Sequence, residues 1–264
     1  MTELVLYEKP VAIDRNAHKN LRIKLQTGDC PFAARTNSVF LAAREFGLAA
    51  THYPIVFVGD AQQGAVVAAA LLGLREAENL YVDAQGQWDP AAYVPAFVRR
   101  YPFVLAEDGQ DENLTVCVDS AFSGLNEIEG EALFDEQGQE TPYLKGVIDF
   151  MRQFRREMLV SNQLVRELVD ADLLVARVID VEMPGGLKRK LDGFMVVDEE
   201  KLSRLDAEHT AKLHASGALP LAYAHLVSIH NLSRLVGRLS QRLLEQAQEA
   251  AAPAPVNDEA LVEV

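Results

Sequence analysis

The first half of the chain is divided into short segments that suit β-strands. Apolar and polar residues alternate or cluster over short stretches, and Gly, Pro and Asp residues separate them. The pattern predicts strands at residues 4–13, 18–25, 53–58, 65–72, 79–83 and 114–118. Two helical stretches interrupt them. One is a short helix within residues 32–50 that stops near Gly47, and the other is a helical turn within residues 90–100.

The second half of the chain begins with helical spacing. Apolar residues recur every three or four positions from Leu144 to Leu168, which predicts a long amphipathic helix. Residues 175–183 and 187–197 then alternate on either side of a Pro-Gly-Gly sequence at 184–186. Alternation around a turn sequence predicts a β-hairpin.

Capping residues predict the remaining helices. Asp198 and Asp206 each precede a helical stretch, where a carboxylate can accept hydrogen bonds from first-turn amides. Gly217 suits a helix C-terminus because glycine readily adopts a positive φ. Leucines then repeat with helical spacing from Pro220 to about Gln248, which predicts one long last helix.

These elements predict an α+β fold. A mixed or antiparallel β-rich N-terminal half, residues 1–142, packs with a helical C-terminal half, residues 143–246, that contains the hairpin and the long last helix. We expect the two halves to form a single domain over residues 1–246. The composition then shifts to Ala, Pro and Glu, so residues 247–264 are predicted to be a disordered acidic tail.

Composition excludes several classes of protein. The chain has 264 residues, of which 49% are hydrophobic, and this content is too high for a disordered chain. No run of apolar residues is long enough to form a transmembrane helix. A net charge of −14 lacks the basic surface that nucleic-acid binding requires, so we expect no nucleic-acid partner. The N-terminus resembles no secretory signal, and we expect a cytoplasmic protein.

The negative charge is concentrated in one central segment. Residues 101–144 contain eleven acidic side chains and no Lys or Arg. Such a run is usually a solvated, repelling surface. The alternative is a docking surface for a basic partner.

The chain shows no pattern for a metal or a cofactor. Its two cysteines are far apart in sequence, and neither the dinucleotide-binding nor the phosphate-binding glycine motif occurs. Two histidine pairs have a spacing of five, His209 with His214 and His225 with His230. That spacing does not align two side chains on one helix face, so we expect no metal site.

The densest group of recognition-type side chains lies between residues 79 and 103. Arginines and aromatic residues are enriched at recognition sites, which makes this group a candidate peptide or anion pocket. Its candidate binding residues are Asp83, Trp88, Tyr93, Arg99, Arg100 and Tyr101. The two adjacent arginines cannot both face one way. One could pair with Asp83 or Asp89 while the other stacks on Tyr101 or reaches solvent. The alternative is a structural corner of the core.

His225 and Ser228 form a second candidate pair. They occupy the apolar stripe of the predicted last helix, and a spacing of three places them on one face. Buried polar side chains need hydrogen-bond partners, so a core pair that holds the helix in place explains them well. The alternative is a nucleophile with its base. A serine in mid-helix argues against it, because no strand-to-helix turn exposes the hydroxyl group.

Several short motifs together resemble the SapC family. In the first half they are HYPIVF (52–57), LLGL (71–74), NLYVD (79–83), GQW (86–88), YVPA (93–96) and RRYPF (99–103). In the second half they are LDGF (191–194), VDE (197–199), AHLVS (224–228) and NL (231–232). Their order is specific, and the resemblance covers about residues 5–245.

The resemblance implies a context rather than a reaction. The family is named after a protein associated with bacterial surface-layer systems, and its relatives are typically encoded in Gram-negative bacteria near outer-membrane receptors and flavin-dependent halogenase-like proteins. It carries no established activity, so no catalytic residue can be transferred. A transporter permease shares the name, but this chain lacks the membrane segments that a permease needs.

Two functions are therefore compatible with the sequence. The first is a non-enzymatic accessory protein that binds a polypeptide, such as a surface protein, a receptor or a modifying enzyme. The second is an enzyme with an unrecognised site, such as a peptide-modifying one, that uses Arg99, Arg100 and His225, and it requires these residues to converge on one pocket. Residues 220–246 could in addition form a homo-oligomer through their leucine stripe.

Overall fold

The computed structural model describes residues 6–26, 28–107, 114–182 and 188–251, which form eleven β-strands and seven α-helices. The strands are β1 (Pro10–Ala12), β2 (Arg22–Ile23), β3 (Ser38–Phe40), β4 (Ile55–Asp60), β5 (Ala65–Leu71), β6 (Phe103–Glu107), β7 (Leu114–Asp119), β8 (Leu125–Asn126), β9 (Glu131–Ala132), β10 (Leu174–Glu182) and β11 (Lys188–Val197). The helices are α1 (Phe46–Ala49), α2 (Ala96–Arg99), α3 (Pro142–Asp170), α4 (Glu199–Ser203), α5 (Ala207–Ser216), α6 (Ala218–Ser228) and α7 (Asn231–Ala251).

Within the described residues, the strands form three antiparallel sheets. The largest has the order β10-β11-β4-β5-β3, so the hairpin of the second half extends a sheet built by the first half. The two smaller sheets have the orders β1-β7-β6 and β8-β2-β9. Antiparallel sheets combined with a helical second half and a long C-terminal helix confirm the predicted α+β class.

Helix α3 joins the two main hydrophobic clusters. Thr141 caps its start, since the side-chain oxygen accepts a hydrogen bond from the backbone N–H of Leu144 at 3.3 Å. Near this end, Leu144 and Met151 pack in a cluster with residues of β6 and β7. Further along, Val165 and Leu168 pack in the larger cluster with residues of β4, β5 and α6. Burial of each of these apolar side chains stabilises the folded protein by roughly 1.5–3 kcal/mol.

The locally encoded elements of the second half are confirmed. The amphipathic helix and both hairpin strands form as predicted, while the predicted turn at 184–186 lies outside the described residues. Asp198 accepts hydrogen bonds from the first-turn amides of α4, and Asp206 accepts one from His209 N at 2.8 Å in α5. Gly217 ends α5 with a φ of 96°.

The predicted short helix within residues 32–50 is partly wrong. Residues 38–40 form strand β3, which pairs with β5 from Ser38 opposite Leu71 to Phe40 opposite Ala69. The helical spacing around Val39 is therefore coincidental, because pairing with a strand distant in sequence decides the conformation. Helical structure in this stretch is confined to α1 and to two 3₁₀ turns, Pro31–Ala33 and Ala43–Glu45.

Other predicted strand limits also differ. Of the strands predicted at 4–13 and 18–25, the described residues form only β1 and β2, while residues 4 and 5 lie outside the described part of the chain. Strands β6, β8 and β9 were not predicted. Residues 79–83 form turns with one isolated bridge from Val82 to Trp88. The Asn79 side chain explains this, because it donates to Ala33 O at 3.0 Å and accepts from Tyr81 N at 2.9 Å. Asparagine side chains that bond to nearby backbone favour turns over strands.

The predicted last helix is divided into two. Helix α6 ends at Ser228 and α7 begins at Asn231. The side chain of Asn231 donates to Ala50 O at 2.7 Å, so a contact distant in sequence fixes the break. No Gly or Pro marks it, which is why apolar spacing could not locate it. Helix α7 continues to Ala251, and the rest of the predicted tail lies outside the described residues.

The described residues of the acidic segment 101–144 are an integral part of the fold. It supplies β6 to β9 and the buried residues Phe103, Val118 and Leu133 of one hydrophobic cluster. One of its acids, Asp119, is fully buried, and its carboxylate accepts hydrogen bonds from the backbone of residues 8, 9 and 121. The segment therefore cannot be removed without removing part of the core.

None of the helices that the structure describes is long and apolar enough to cross a membrane.

The first prediction concerns Asp119. Asp119→Ala would leave three backbone N–H groups without their acceptor, and we expect a loss of about 3–5 kcal/mol in the free energy of unfolding. The matched control is Asp135→Ala, since Asp135 accepts from Gln137 N and Gln139 N in an exposed turn. We expect the control to lose about 1 kcal/mol or less. Urea denaturation measures both, and equal losses would contradict the structural role of Asp119.

Candidate functional site

The candidate residues between 79 and 103 occupy three different places. Asp83 and Trp88 lie beside α7, Tyr93 and Arg99 lie in a cleft beside α3, and Arg100 and Tyr101 point into the protein. His225 and Ser228 lie below the large sheet, on α6. The cluster in the sequence is therefore not one cluster in the fold.

Asp83 and Trp88 shape a loop against α7. Asp83 is exposed, and its side-chain oxygen accepts from the backbone of Gln85 and Gln87, which closes the loop. Trp88 is only 3% exposed and stacks on Tyr81 with ring centroids 6.3 Å apart. Both residues line a cleft of about 290 Å³ next to α7.

Two arginines of α7 hold this loop. Arg242 donates to the carbonyl oxygens of Asn79 and Val82, each at 2.7 Å. Arg238 lies over the Tyr81 ring, 4.3 Å from its centroid, and forms an ion pair with Asp89. From the sequence, Asp89 was one of the two carboxylates expected to pair with Arg99 or Arg100. That expectation is wrong, because α7 supplies the arginine instead.

Arg100 and Tyr101 belong to the interior. Arg100 is 3% exposed, and its guanidinium carbon lies 4.0 Å from the centroid of the Phe97 ring. Tyr101 stacks on Phe32 at 3.8 Å between ring centroids, and its hydroxyl group is 3.4 Å from the Asp119 carboxylate. A ligand in a surface cleft would not reach Arg100, which makes a cation–π contact with Phe97 in the interior.

Tyr93 and Arg99 come together at the surface. Arg99 is exposed and donates to the Tyr93 hydroxyl group at 3.2 Å and to Val94 O at 3.1 Å. Its guanidinium carbon lies 5.8 Å from the Tyr93 ring centroid and 5.6 Å from that of Phe150 on α3. These contacts hold the guanidinium group in one orientation, as a preorganised donor.

Glu45 holds residues of this cleft in place, and its role was not predicted from the sequence. It is 6% exposed, and one carboxylate oxygen accepts from the Tyr93 hydroxyl group and from Ala96 N, both at 2.7 Å. The other oxygen accepts from Ala42 N at 3.1 Å. The only local signal was a glutamate in the first turn of a helix, and the missing Ser or Thr cap made it weak.

The hydroxyl group of Tyr93 stays neutral in this setting. Burial, followed by the hydrogen bond to Glu45, raises the pKa of Tyr93 to about 12. Near pH 7 the phenol therefore keeps its proton, donates a hydrogen bond to Glu45 and accepts one from Arg99. This relay connects a buried carboxylate to the guanidinium group at the surface.

The cleft around Arg99 has the size of about one large amino-acid residue. Its volume is about 270 Å³, below the usual range for pockets that enclose a whole small molecule. Leu48, Ala96 and Phe150 provide an apolar wall, and Arg44 and Glu157 lie at its edge, 3.3 Å apart. We take this Arg99 cleft, formed by α1, α2 and α3, as the candidate site.

His225 and Ser228 accept hydrogen bonds from backbone N–H groups at the point where two strands separate. Strands β4 and β11 pair only at Phe57 and Met195 among the described residues, so the next opposed residues are Ile55 and Val197. Instead of continuing the ladder, Val197 N donates to His225 Nε2 and Ile55 N donates to Ser228 Oγ, both at 3.0 Å. Both side chains are fully buried.

This arrangement matches the structural interpretation of the pair. The Ser228 hydroxyl group donates to His225 O at 2.6 Å, so its proton is directed to the helix backbone and not to the imidazole. Burial lowers the pKa of His225 to about 4, against a smaller opposing interaction with the Ile55 backbone. The imidazole is therefore neutral near pH 7 and acts as a hydrogen-bond acceptor.

Metal-ligating side chains do not gather in the described part of the chain, where no group of three or more His, Cys, Asp or Glu residues could hold an ion.

Comparison with known proteins identifies the family. A model of the SapC family matches residues 13–235. The chain belongs to the SapC family. This confirms the resemblance drawn from the motifs. No curated protein matches the chain, and no solved structure does. The matched part of this SapC protein contains both the Arg99 cleft and the polar pair of α6, whereas most of α7 lies beyond it.

The second prediction isolates the acceptor role of Ser228. Ser228→Ala would leave Ile55 N without a partner, and we expect a loss of about 1–3 kcal/mol in the free energy of unfolding. Ser233→Ala is the matched control, because Ser233 makes the same bond to the carbonyl three residues earlier but is exposed. The control should change by about 0.5 kcal/mol or less. Comparable losses in chemical denaturation would show that the bond to β4 contributes nothing.

The third prediction concerns pH. The pKa of His225 is lowered in the folded protein, so the unfolded chain binds its proton first as the pH falls below 6.5. The contribution of His225 to the free energy of unfolding is therefore fully present above pH 6.5. It decreases as the pH falls from 6.5 towards the pKa of the folded state, near 4. With a pKa of about 4 against 6.5, the wild type should lose about 2.5 kcal/mol more than His225→Gln between pH 7.5 and 4.5. Urea titrations at both pH values measure this difference, and parallel losses in the two proteins would refute it.

Proposed function

We propose that this SapC protein is a non-enzymatic accessory protein that binds a polypeptide partner through the Arg99 cleft. The observation that carries the proposal is the fixed guanidinium group of Arg99 at the mouth of a cleft of single-residue size. A recognition site of this kind needs a preorganised polar group beside apolar contact area, and anchoring residues of this type dominate binding energy. The partner would belong to a bacterial surface or outer-membrane receptor system, as the family context implies, and binding would take place in the cytoplasm.

The side chains around the cleft support binding more than chemistry. Tyr93 is neutral near pH 7, and its hydroxyl group is occupied by Glu45 and Arg99. His225, the strongest candidate for a general base, uses Nε2 to accept from Val197 N beneath the sheet. A base must reach a proton of the substrate, and this imidazole has no access to the cleft surface.

The competing proposal is an enzyme that uses Arg99, Arg100 and His225. It required these residues to converge on one pocket. Arg99 lies in the cleft between α2 and α3, Arg100 packs on Phe97, and His225 contacts Phe57 below the sheet. Their different surroundings weaken that version, so the binding proposal has the better support.

Self-association through residues 220–246 stays a separate prediction. Leu235 and Leu239 of the leucine stripe are fully buried in the core and would not contribute to a dimer interface. An interface here would instead use the exposed apolar side chains Tyr223, Val227 and Leu244.

The fourth prediction tests the polypeptide partner. The tagged full-length chain would be purified from cells that express it natively, and co-purifying proteins would be quantified by mass spectrometry. We expect the wild type to recover a stoichiometric polypeptide and Arg99→Glu to recover about tenfold less, because the substitution reverses the charge of the anchor.

Arg156→Glu is the matched control. It makes the same charge change on α3, at an exposed arginine that does not line the cleft. It should recover the partner like the wild type. A wild type without a stoichiometric partner, or an Arg99→Glu variant that retains it, would count against the proposed function.

A further inference from the structure

The electrostatic state of the Arg99 cleft indicates what it can bind. Four charged side chains line it, Arg44, Glu45, Arg99 and Glu157, and their formal charges cancel. The two acids are already occupied. Glu45 accepts three hydrogen bonds from Tyr93, Ala96 and Ala42, and Glu157 accepts from Arg44 at 3.3 Å and Gln153 at 2.9 Å. Both carboxylates are therefore already bound by donors of the protein.

Arg99 differs from Arg44, which is paired with Glu157, in having donors that no carboxylate of the described residues neutralises. Its Nε and Nη2 atoms each donate one hydrogen bond, to Val94 O and to the Tyr93 hydroxyl group. Within the described residues, its guanidinium group forms no ion pair with a carboxylate. A guanidinium group has five N–H donors, so three are left to bind an anion, and a carboxylate is the planar acceptor that suits it best.

The apolar wall restricts the ligand further. Leu48 is 60% exposed although it lies on a short helix against the core, and Phe150 and Ala96 line the same cleft. A volume of about 270 Å³ is close to that of one large amino-acid residue and is below the usual range for pockets that enclose a whole small molecule. The ligand therefore combines one carboxylate and one apolar side chain within a single residue.

We propose that the Arg99 cleft binds the carboxyl-terminal residue of a polypeptide, with the α-carboxylate on Arg99 and an apolar side chain against Leu48 and Phe150. This rests on the proposed polypeptide-binding function and specifies its ligand. A terminal residue carries both groups on one Cα atom. An internal Asp or Glu supplies only the carboxylate, and its main chain would need an exit on both sides of the cleft.

Peptide titration of the isotope-labelled full-length protein tests this proposal. The probes are acetyl-Gly-Gly-Leu with a free carboxyl end, the same peptide as its carboxamide, and acetyl-Gly-Glu-Gly-amide as an internal acid. We expect the free acid to shift the backbone amide signals of Leu48, Ala96 and Phe150 in a saturable way. The carboxamide and the internal acid should bind about tenfold more weakly, because each lacks one half of the terminal group.

Two variants assign the contacts. Arg99→Gln should remove the preference for the free acid over the carboxamide, while Arg156→Gln should keep it. Leu48→Gln should reduce the preference of the cleft for a terminal Leu over a terminal Gly. Both side chains are exposed, so the variants should retain the wild-type amide spectrum away from the cleft.

The outcomes separate this inference from the proposed function. Equal affinity for the acid and the carboxamide, no saturable binding, or shifts outside the cleft would overturn the carboxyl-terminal assignment. Loss of the cellular partner in Arg99→Glu would then still support polypeptide binding. Conversely, selective binding of the free acid with no stoichiometric cellular partner would leave the ligand chemistry intact and count against the proposed function.

Discussion

The fold depends on the way α6 closes the gap between β4 and β11. These strands belong to different halves of the chain, and beyond Phe57 and Met195 they separate, leaving buried N–H groups that need acceptors. His225 and Ser228 provide the acceptors at 3.0 Å each. Next along the chain, Asn231 donates to Ala50 O at the end of α1 and turns the chain into α7. His225 and Ser228 of α6 thus join the hairpin to the sheet, and Asn231 at the start of α7 fixes the helix that carries Leu48.

The Arg99 cleft is built outward from a buried carboxylate. Glu45 accepts from the backbone at the start of α2 and from the Tyr93 hydroxyl group, so it fixes the loop before α2. Tyr93 in turn holds Arg99 at the surface. Burying a carboxylate is costly unless every oxygen has a donor, and two of the three donors here, Tyr93 and Ala96, line the cleft. The position of Arg99 at the surface is therefore a consequence of the hydrogen bonds that the core makes to the Glu45 carboxylate.

Elements determined by local chemistry were predictable from the sequence, and elements determined by distant partners were not. The period of α3 and the caps Asp198, Asp206 and Gly217 depend on residues a few positions away. Strand β3 depends on β5, and the α6–α7 break depends on Ala50. The same limit applies to the site. Composition singled out Tyr93 and Arg99, but their separation from Arg100, and the role of Glu45 more than forty residues earlier, depend on the packing of α1 against α2 and α3.

The central claim is that a polypeptide occupies the Arg99 cleft in the cell. Site-specific photo-crosslinking from a benzophenone side chain placed at Leu48 tests it most directly, with the same side chain at Ile128 as a control on a more exposed surface. Leu48 is 60% exposed and Ile128 89%, so accessibility alone favours the control. The account predicts one discrete polypeptide adduct from position 48 that is absent from position 128, with the crosslinked residue at its carboxyl end. No adduct at position 48, or the same adducts from both positions, would contradict it.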